Sequence, residues 1–196
     1  MDYSMRMYLV DHDVLTATIG SKDAALFNAI VAAPTNRRRF NLDEDRERLS
    51  ISQALRAVID GGPFDEEHSI DYLEAVENLC VHLGGECFAD PTFNFDWTSA
   101  VNHAFDELGL GIEMYDIERR YPGVLGLPEI DDWDVLAGGG YWSNEDCVFT
   151  VAQWDTCDPA VVGTIDPELL KDVEQYIWRT GRAKEAGRDI VAIWGE

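Results

Sequence analysis

Between Ala57 and Glu118 the chain has no lysine and no arginine. Lysine is scarce throughout, with three residues against twelve arginines. Acids are not scarce. Ala57 to Leu170 holds 25 of them against Arg119 and Arg120 alone, a balance of −23 that equals the net charge of the whole chain. Residues 1–56 carry eight charges of each sign, and residues 171–196 five of each. A block of one sign raises a strong negative potential over much of a surface. It repels nucleic-acid phosphates and anionic membranes, which excludes charge-driven binding to either. A basic protein is the natural complement. The competing reading is that acids, 22 Asp and 16 Glu, simply solvate the surface.

Other absences narrow the class further. No apolar run approaches the roughly 18 residues of a membrane-spanning helix. Met1 to Val10 shows no basic stretch leading into an apolar one, so no secretion signal is expected and a cytoplasmic protein is. The cysteines are Cys80, Cys87, Cys147 and Cys157. In a reducing compartment they are expected as free thiols, with Cys80 buried on the apolar side of a helix. There is no Gly-x-Ser-x-Gly, no Gly-x-x-x-x-Gly-Lys and no Gly-x-Gly-x-x-Gly. Paired carboxylates carry no information in so acidic a chain. His12 lies between Asp11 and Asp13, a pattern that reads as an exposed helix start rather than a catalytic base.

Two metal patterns fail on spacing. Cys80, His82 and Cys87 place three soft ligands close together, but His103, Cys147 and Cys157 supply no second compact pair. In the acidic run Glu129 to Asp134, Asp132 as the first EF-hand position puts Ala137 at the sixth and Ser143 at the twelfth, where glycine and glutamate belong. No cofactor, metal or catalytic residue is assigned.

What is present is enough for a core. The hydrophobic fraction is 46%, and tryptophan and phenylalanine are spread along the chain, unlike a disordered acidic tail. The length suits a single domain, 1–196. Met5 to Val10 reads as a strand, and Asp189 to Trp194 as another. Ser21 is expected to cap a helix from Lys22 to Ala33. Residues 35–49, with Arg37 to Arg39 followed by Asp43 to Asp45, read as an exposed connector. Ser50 and Gln53 form a capping-box pattern before a helix closed by Gly61-Gly62. A helix from about Ser69 to Leu83 places Ile70, Leu73, Val76 and Cys80 inward, with Asp71, Glu74, Glu77 and Asn78 on an outer face. Another follows Asp96. Ser143 starts a helix whose apolar residues are Val148, Phe149, Val151 and Ala152. Asp166 and Pro167 open the last helix. Residues 110–142 are irregular, and Gly138 to Gly140 read as a hinge. The expected class is α+β: a small sheet containing the N- and C-terminal strands, packed with about six helices.

The layout resembles the YfbM-like bacterial families of unknown function. The resemblance is carried by Met5 to Asp11, Ile19 to Asp23, Ala54-Leu55 with Ile59 to Phe64, Gly140 to Ser143, and Gly187 to Ala192. It implies an α+β domain with neighbouring termini. It implies no activity, so no site residue follows from it.

The functional expectation is a non-enzymatic protein that binds a basic protein partner, in the manner of an immunity or antitoxin protein covering a toxin. The candidate partner-binding residues are Asp131, Asp132, Trp133, Asp134, Tyr141, Trp142, Glu145 and Asp146, aromatics among acids. A small-molecule or calcium-binding module around 110–142, or an enzyme of unfamiliar type, is the alternative.

Overall fold

The computed structural model of the chain describes residues 3–33, 47–84, 87–93, 95–113, 121, 123–128 and 137–195. The two apolar end segments pair with each other. Strand β1 (Tyr3–Val10) lies antiparallel to β4 (Asp189–Gly195), with Met7 opposite Ala192 and Val10 opposite Asp189. Strand β2 (Cys87–Phe93) pairs with the other edge of β1, and β3 (Gly138–Trp142) with the other edge of β4. The result is a four-stranded antiparallel sheet in the order β2-β1-β4-β3. The terminal strands are therefore its centre, and the α+β expectation is met.

Helices cover both faces of this sheet, which is why Met7 to Val10 of β1 and Ile190 to Trp194 of β4 read as continuous apolar runs. Strand geometry sends successive side chains to opposite sides. Met5, Met7, Leu9, Ile190 and Ala192 join one core with α5 (Phe95–Glu107), α6 (Asn144–Trp154) and α8 (Pro167–Ala186). Tyr8, Val10, Val191 and Ile193 join a second core with α1 (His12–Thr18), α2 (Ala24–Ala32), α3 (Ile51–Asp60) and α4 (Ser69–Gly84). A short α7 (Pro159–Val162) precedes α8.

The helix starts follow local chemistry. Ser50 and Gln53 form the expected reciprocal cap, and Ser143 and Asp146 form another. Asp166 accepts from Glu168 and Leu169 ahead of Pro167. Helix α2 differs from expectation: its cap is Asp23, which accepts from the amides of Ala25 and Leu26, not Ser21. Lys22, at φ 58°, turns the chain between the two, so the helix begins at Ala24.

The triple glycine is a strand, not a hinge. A Cβ on Gly138 would lie 2.8 Å from Cζ2 of Trp194, and one on Gly139 would lie 3.1 Å from Cδ2 of Tyr121. The bare strand surface lets both rings lie against β3, and the amide of Tyr121 donates to the carbonyl of Gly139 at 2.8 Å. Glycine here serves close packing rather than mobility.

Candidate functional site

The acids of the central block divide by what holds them. Helix α4 is buried along Ser69 to Cys80, including Asp71, Glu74, Glu77 and Asn78. The outer face expected for these four does not exist, because α4 is enclosed by α3, α1, α2 and the sheet. Its acids are matched one by one. Arg48 Nη2 sits 2.9 Å from Asp71 and 2.8 Å from Glu74, and its Nε donates to Asp71 at 3.0 Å. Asp71 also accepts the amide of Leu49 at 3.0 Å and faces His68 Nδ1 at 3.1 Å. Glu77 accepts the hydroxyl of Tyr8 at 2.6 Å, with Arg6 at 3.7 Å. Asn78 donates to the carbonyl of Glu74. These carboxylates clamp α4 to the 48–49 segment and to β1, and nothing in their geometry leaves an atom facing a substrate.

A second group of acids, three in the block and two N-terminal to it, caps helices. Asp11, Asp23, Asp65, Asp158 and Asp166 each accept a backbone N–H at a helix start. Each satisfies an otherwise orphaned donor and sits at the positive pole of its helix. Much of the excess of Asp over Glu is thus local folding chemistry.

The eight candidate residues do not form one site. Asp131, Asp132, Trp133 and Asp134 lie outside the described residues, as does the calcium-like acidic run. Tyr141 and Trp142 are adjacent on β3 and so point to opposite faces of the sheet. Trp142 is a core residue: it is 4% exposed, its Nε1 donates to the carbonyl of Glu113 at 2.8 Å, and it meets Tyr176 edge to face. A buried indole with its donor satisfied has no surface to offer a partner. The Asp146 carboxylate is committed to the α6 cap, accepting from Ser143 N at 2.9 Å and from Ser143 Oγ at 2.6 Å. Glu145 is exposed in the first turn of α6.

Tyr141 stacks on His12, ring centroids 3.9 Å apart, with Tyr121 beside both at about 6 Å. His12 is therefore not the open helix start its flanking aspartates suggest. Its amide donates to Asp189 at 2.7 Å, and the other oxygen of Asp189 accepts the amide of Asn144 at 2.7 Å. One carboxylate therefore ties the first turns of α1 and α6 to the start of β4. Asp189 is the residue whose role the sequence hid, since its partners lie 177 and 45 positions away. Burial, then the nearby Cys80, Tyr141 and Asp189, pushes ionisation of Tyr121 far above a phenol's ordinary value. Burial, with Asp146 and Asp189, pushes the Cys147 thiol up to about 12. Desolvation raises Cys157 as well. None of these is a poised nucleophile, which requires a lowered value. Cys80 is fully buried. Among the described residues no group of three or more His, Cys, Asp or Glu side chains could hold a metal ion.

Helix α6 is turned the other way from α4. Cys147 and Thr150 are its buried residues, while Val148 is 40% and Phe149 50% exposed and Ala152 faces out beside them. The expected apolar face is thus mostly an outer one. The segment 108–113 explains why. It runs along α6, with the Leu108 carbonyl accepting from Cys157 Sγ, the Leu110 carbonyl from Thr150 Oγ1, and the Glu113 carbonyl from Trp142. Those bonds draw the polar Thr150 inward. Phe149 is left resting on Gly111, where a Cβ would lie 2.8 Å from its Cε1. Exposed acids stand at both ends of α6, Glu145 in its first turn and Asp155 at its C-cap, and Asp106, Glu107 and Glu113 are exposed on the flanking 106–113 stretch.

The architecture defines the chain as an α+β domain, a four-stranded antiparallel sheet between two helical layers, with no catalytic constellation among its described residues. Over residues 1–195 it matches the model of a domain of unknown function, DUF7691, and the chain belongs to that family. No curated protein and no solved structure shows significant similarity to it. Among the described residues, no helix is long and apolar enough to cross a membrane.

Proposed function

We propose that this domain is a non-enzymatic interaction protein whose acidic surface binds a basic protein partner, in the way an immunity or antitoxin-like inhibitor covers the positive surface of a toxin. One observation carries the reading. After the clamped acids of α4 and the helix caps are set aside, Asp106 and Asp155 remain at the C-terminal ends of α5 and α6, with Glu107 beside Asp106 facing His103 Nε2 at 3.4 Å. Helix C-termini are already negative, so carboxylates there oppose folding by a few tenths of a kcal/mol up to about 1 kcal/mol each. From Ala57 to Leu170 no lysine, and no arginine other than Arg119 and Arg120, stands in the sequence to offset them. Acids kept at a cost to the free domain are the kind that association with a cation-rich surface repays.

The test is capture of partners from the native cell at low ionic strength, followed by association kinetics of the recovered partner across salt concentration. A basic partner whose on-rate falls steeply between low and physiological salt supports the reading, because exposed charges are screened beyond about 8 Å at physiological strength. A partner indifferent to salt returns the acids to plain solvation. The proposal includes a cytoplasmic location and a kinship with the YfbM-like families, which would itself assign no activity.

A second reading, a small-molecule module, draws support from a shallow groove of about 440 Å3 between α2 and α3, lined by Phe27, Ser52, Gln53, Arg56 and Asp60. Its one cationic group is already engaged, with the Arg56 guanidinium 3.5 Å from the centre of the Phe27 ring, and the groove lies on the opposite side of the sheet from Trp142. It ranks second for that reason.

A further inference from the structure

We infer that the outward face of α6 is the docking strip for a basic amphipathic segment of the partner, with Val148 and Phe149 as its apolar anchors. This rests on the basic-partner reading and adds to it where the contact forms and what chemistry the partner segment must have. Val148, Phe149 and Ala152 lie on one side of the helix at the spacing that meets a facing helix. Adjacent exposed large apolar side chains are uncommon on a soluble surface and mark contact sites. Phe149 is also held: its ring lies on the bare backbone of Gly111, which adopts φ +68° and leaves room for it. A fixed half-exposed ring loses little freedom on binding, which favours an anchor role.

Charge decides the occupant. Glu145 and Asp155 stand at the two ends of α6, with Asp106, Glu107 and Glu113 exposed on the flanking 106–113 stretch. A second copy of this chain would bring another −23 against it, and an anionic lipid surface would be repelled in the same way. A segment with a few leucine-like residues flanked by Lys or Arg satisfies both the apolar strip and its rim, in the manner of an amphipathic helix laid on an apolar face.

Two fluorescently labelled helical peptides with equal lysine content test this. One carries a leucine stripe, and the other carries serine in its place. Anisotropy titrations on the full chain at physiological salt are expected to show the leucine peptide binding about tenfold tighter or better, the difference of one well-buried anchor. Phe149→Ser should collapse that preference. Val148→Ser combined with Ala152→Ser, which leaves Phe149 on Gly111, should reduce it. Both variants should keep wild-type affinity for the serine peptide and wild-type far-UV circular dichroism. Equal binding of the two peptides by the wild-type chain, or an undiminished preference in both variants, would overturn the docking strip while leaving the acidic-surface reading intact. Failure of both peptides to bind at low salt would overturn both.

Discussion

Helices α4 and α6 have similar one-dimensional patterns and opposite fates. Each has apolar residues at helical spacing, with acids interleaved along α4 and confined to the first turn of α6. In α4 the acids are inside, and in α6 Val148, Phe149 and Ala152 are outside. The difference lies in their surroundings. Helix α4 is covered by three helices and the sheet, so every side of it must be satisfied, and Arg48, His68, Leu49 and Tyr8 supply the partners its carboxylates need. Helix α6 lies at the rim over β3, touching α8, β3 and β4. Backbone carbonyls of the 108–113 segment take its hydroxyl and its neighbouring donors, and the apolar side is left over. Amphipathic patterning assumes one wet and one dry side. It fails where a helix has no wet side, and also where the dry side is chosen by polar contacts.

The largest expected effect breaks the α4 half of the comparison. Arg48→Ala leaves two buried carboxylates without their shared cation, and breaking a buried pair this way costs about 3–5 kcal/mol. Urea denaturation should show it as a lower midpoint. Replacing Arg48, Asp71 and Glu74 together with apolar residues should recover much of the loss, since the charge that pays the penalty is then gone. If Arg48→Ala is neutral, α4 is not clamped as described.

Trp142→Ala should cost about 3–5 kcal/mol, the usual range for emptying a buried indole site. A small loss with weakened partner binding would instead restore Trp142 as a surface anchor. Tyr8→Phe tests a single bond: Glu77 loses its 2.6 Å donor while the packing stays, and about 1–3 kcal/mol should follow.

A pH series sharpens the α6 half from its buried side. Cys147 is raised from a thiol's 9.0 to about 12 in the folded state. Its contribution to stability is fully present below the unfolded value and is lost as pH rises toward the folded one. Above pH 9 the unfolded chain sheds a proton that the folded chain keeps, and on the order of 1 kcal/mol should be lost by pH 10 from this group. Tyr121, raised in the same direction, adds to the fall at still higher pH. Denaturation midpoints of Cys147→Ala should fall less between pH 8 and pH 10 than those of the wild type. Equal slopes would place the thiol in water.

The smallest effect belongs to the outward side. Phe149→Ser should change stability by about 1 kcal/mol or less, because half of the ring is already in solvent. A core-sized loss would mean that the ring supports the fold and is not a docking anchor.

Local chemistry was legible in the residues alone. The caps at Ser50, Ser143 and Asp166, the membership of the two end strands in one sheet, and the burial of Cys80 follow from side chains acting within a few positions or from runs too apolar to be exposed. Strand β2, the glycine-built β3 and the true face of α6 were not legible. Gly138 and Gly139 look like breakers until Trp194 and Tyr121 are seen lying against them. The proposed docking strip was hidden because the spacing of Val148, Phe149, Val151 and Ala152 does not say which side of α6 faces solvent.

By itself, the sequence determined the class of fold, the starts of α3, α4, α6 and α8, and the imbalance of charge. These depend on neighbouring residues and on sums over the chain. Only the tertiary structure decided which carboxylates are clamped, which cap helices and which face solvent. That choice depends on partners far away along the chain, such as Arg48 for Glu74, Tyr8 for Glu77 and the amides of His12 and Asn144 for Asp189. A carboxylate's worth is set by the dielectric and the donors around it, and a sequence shows neither until it is folded.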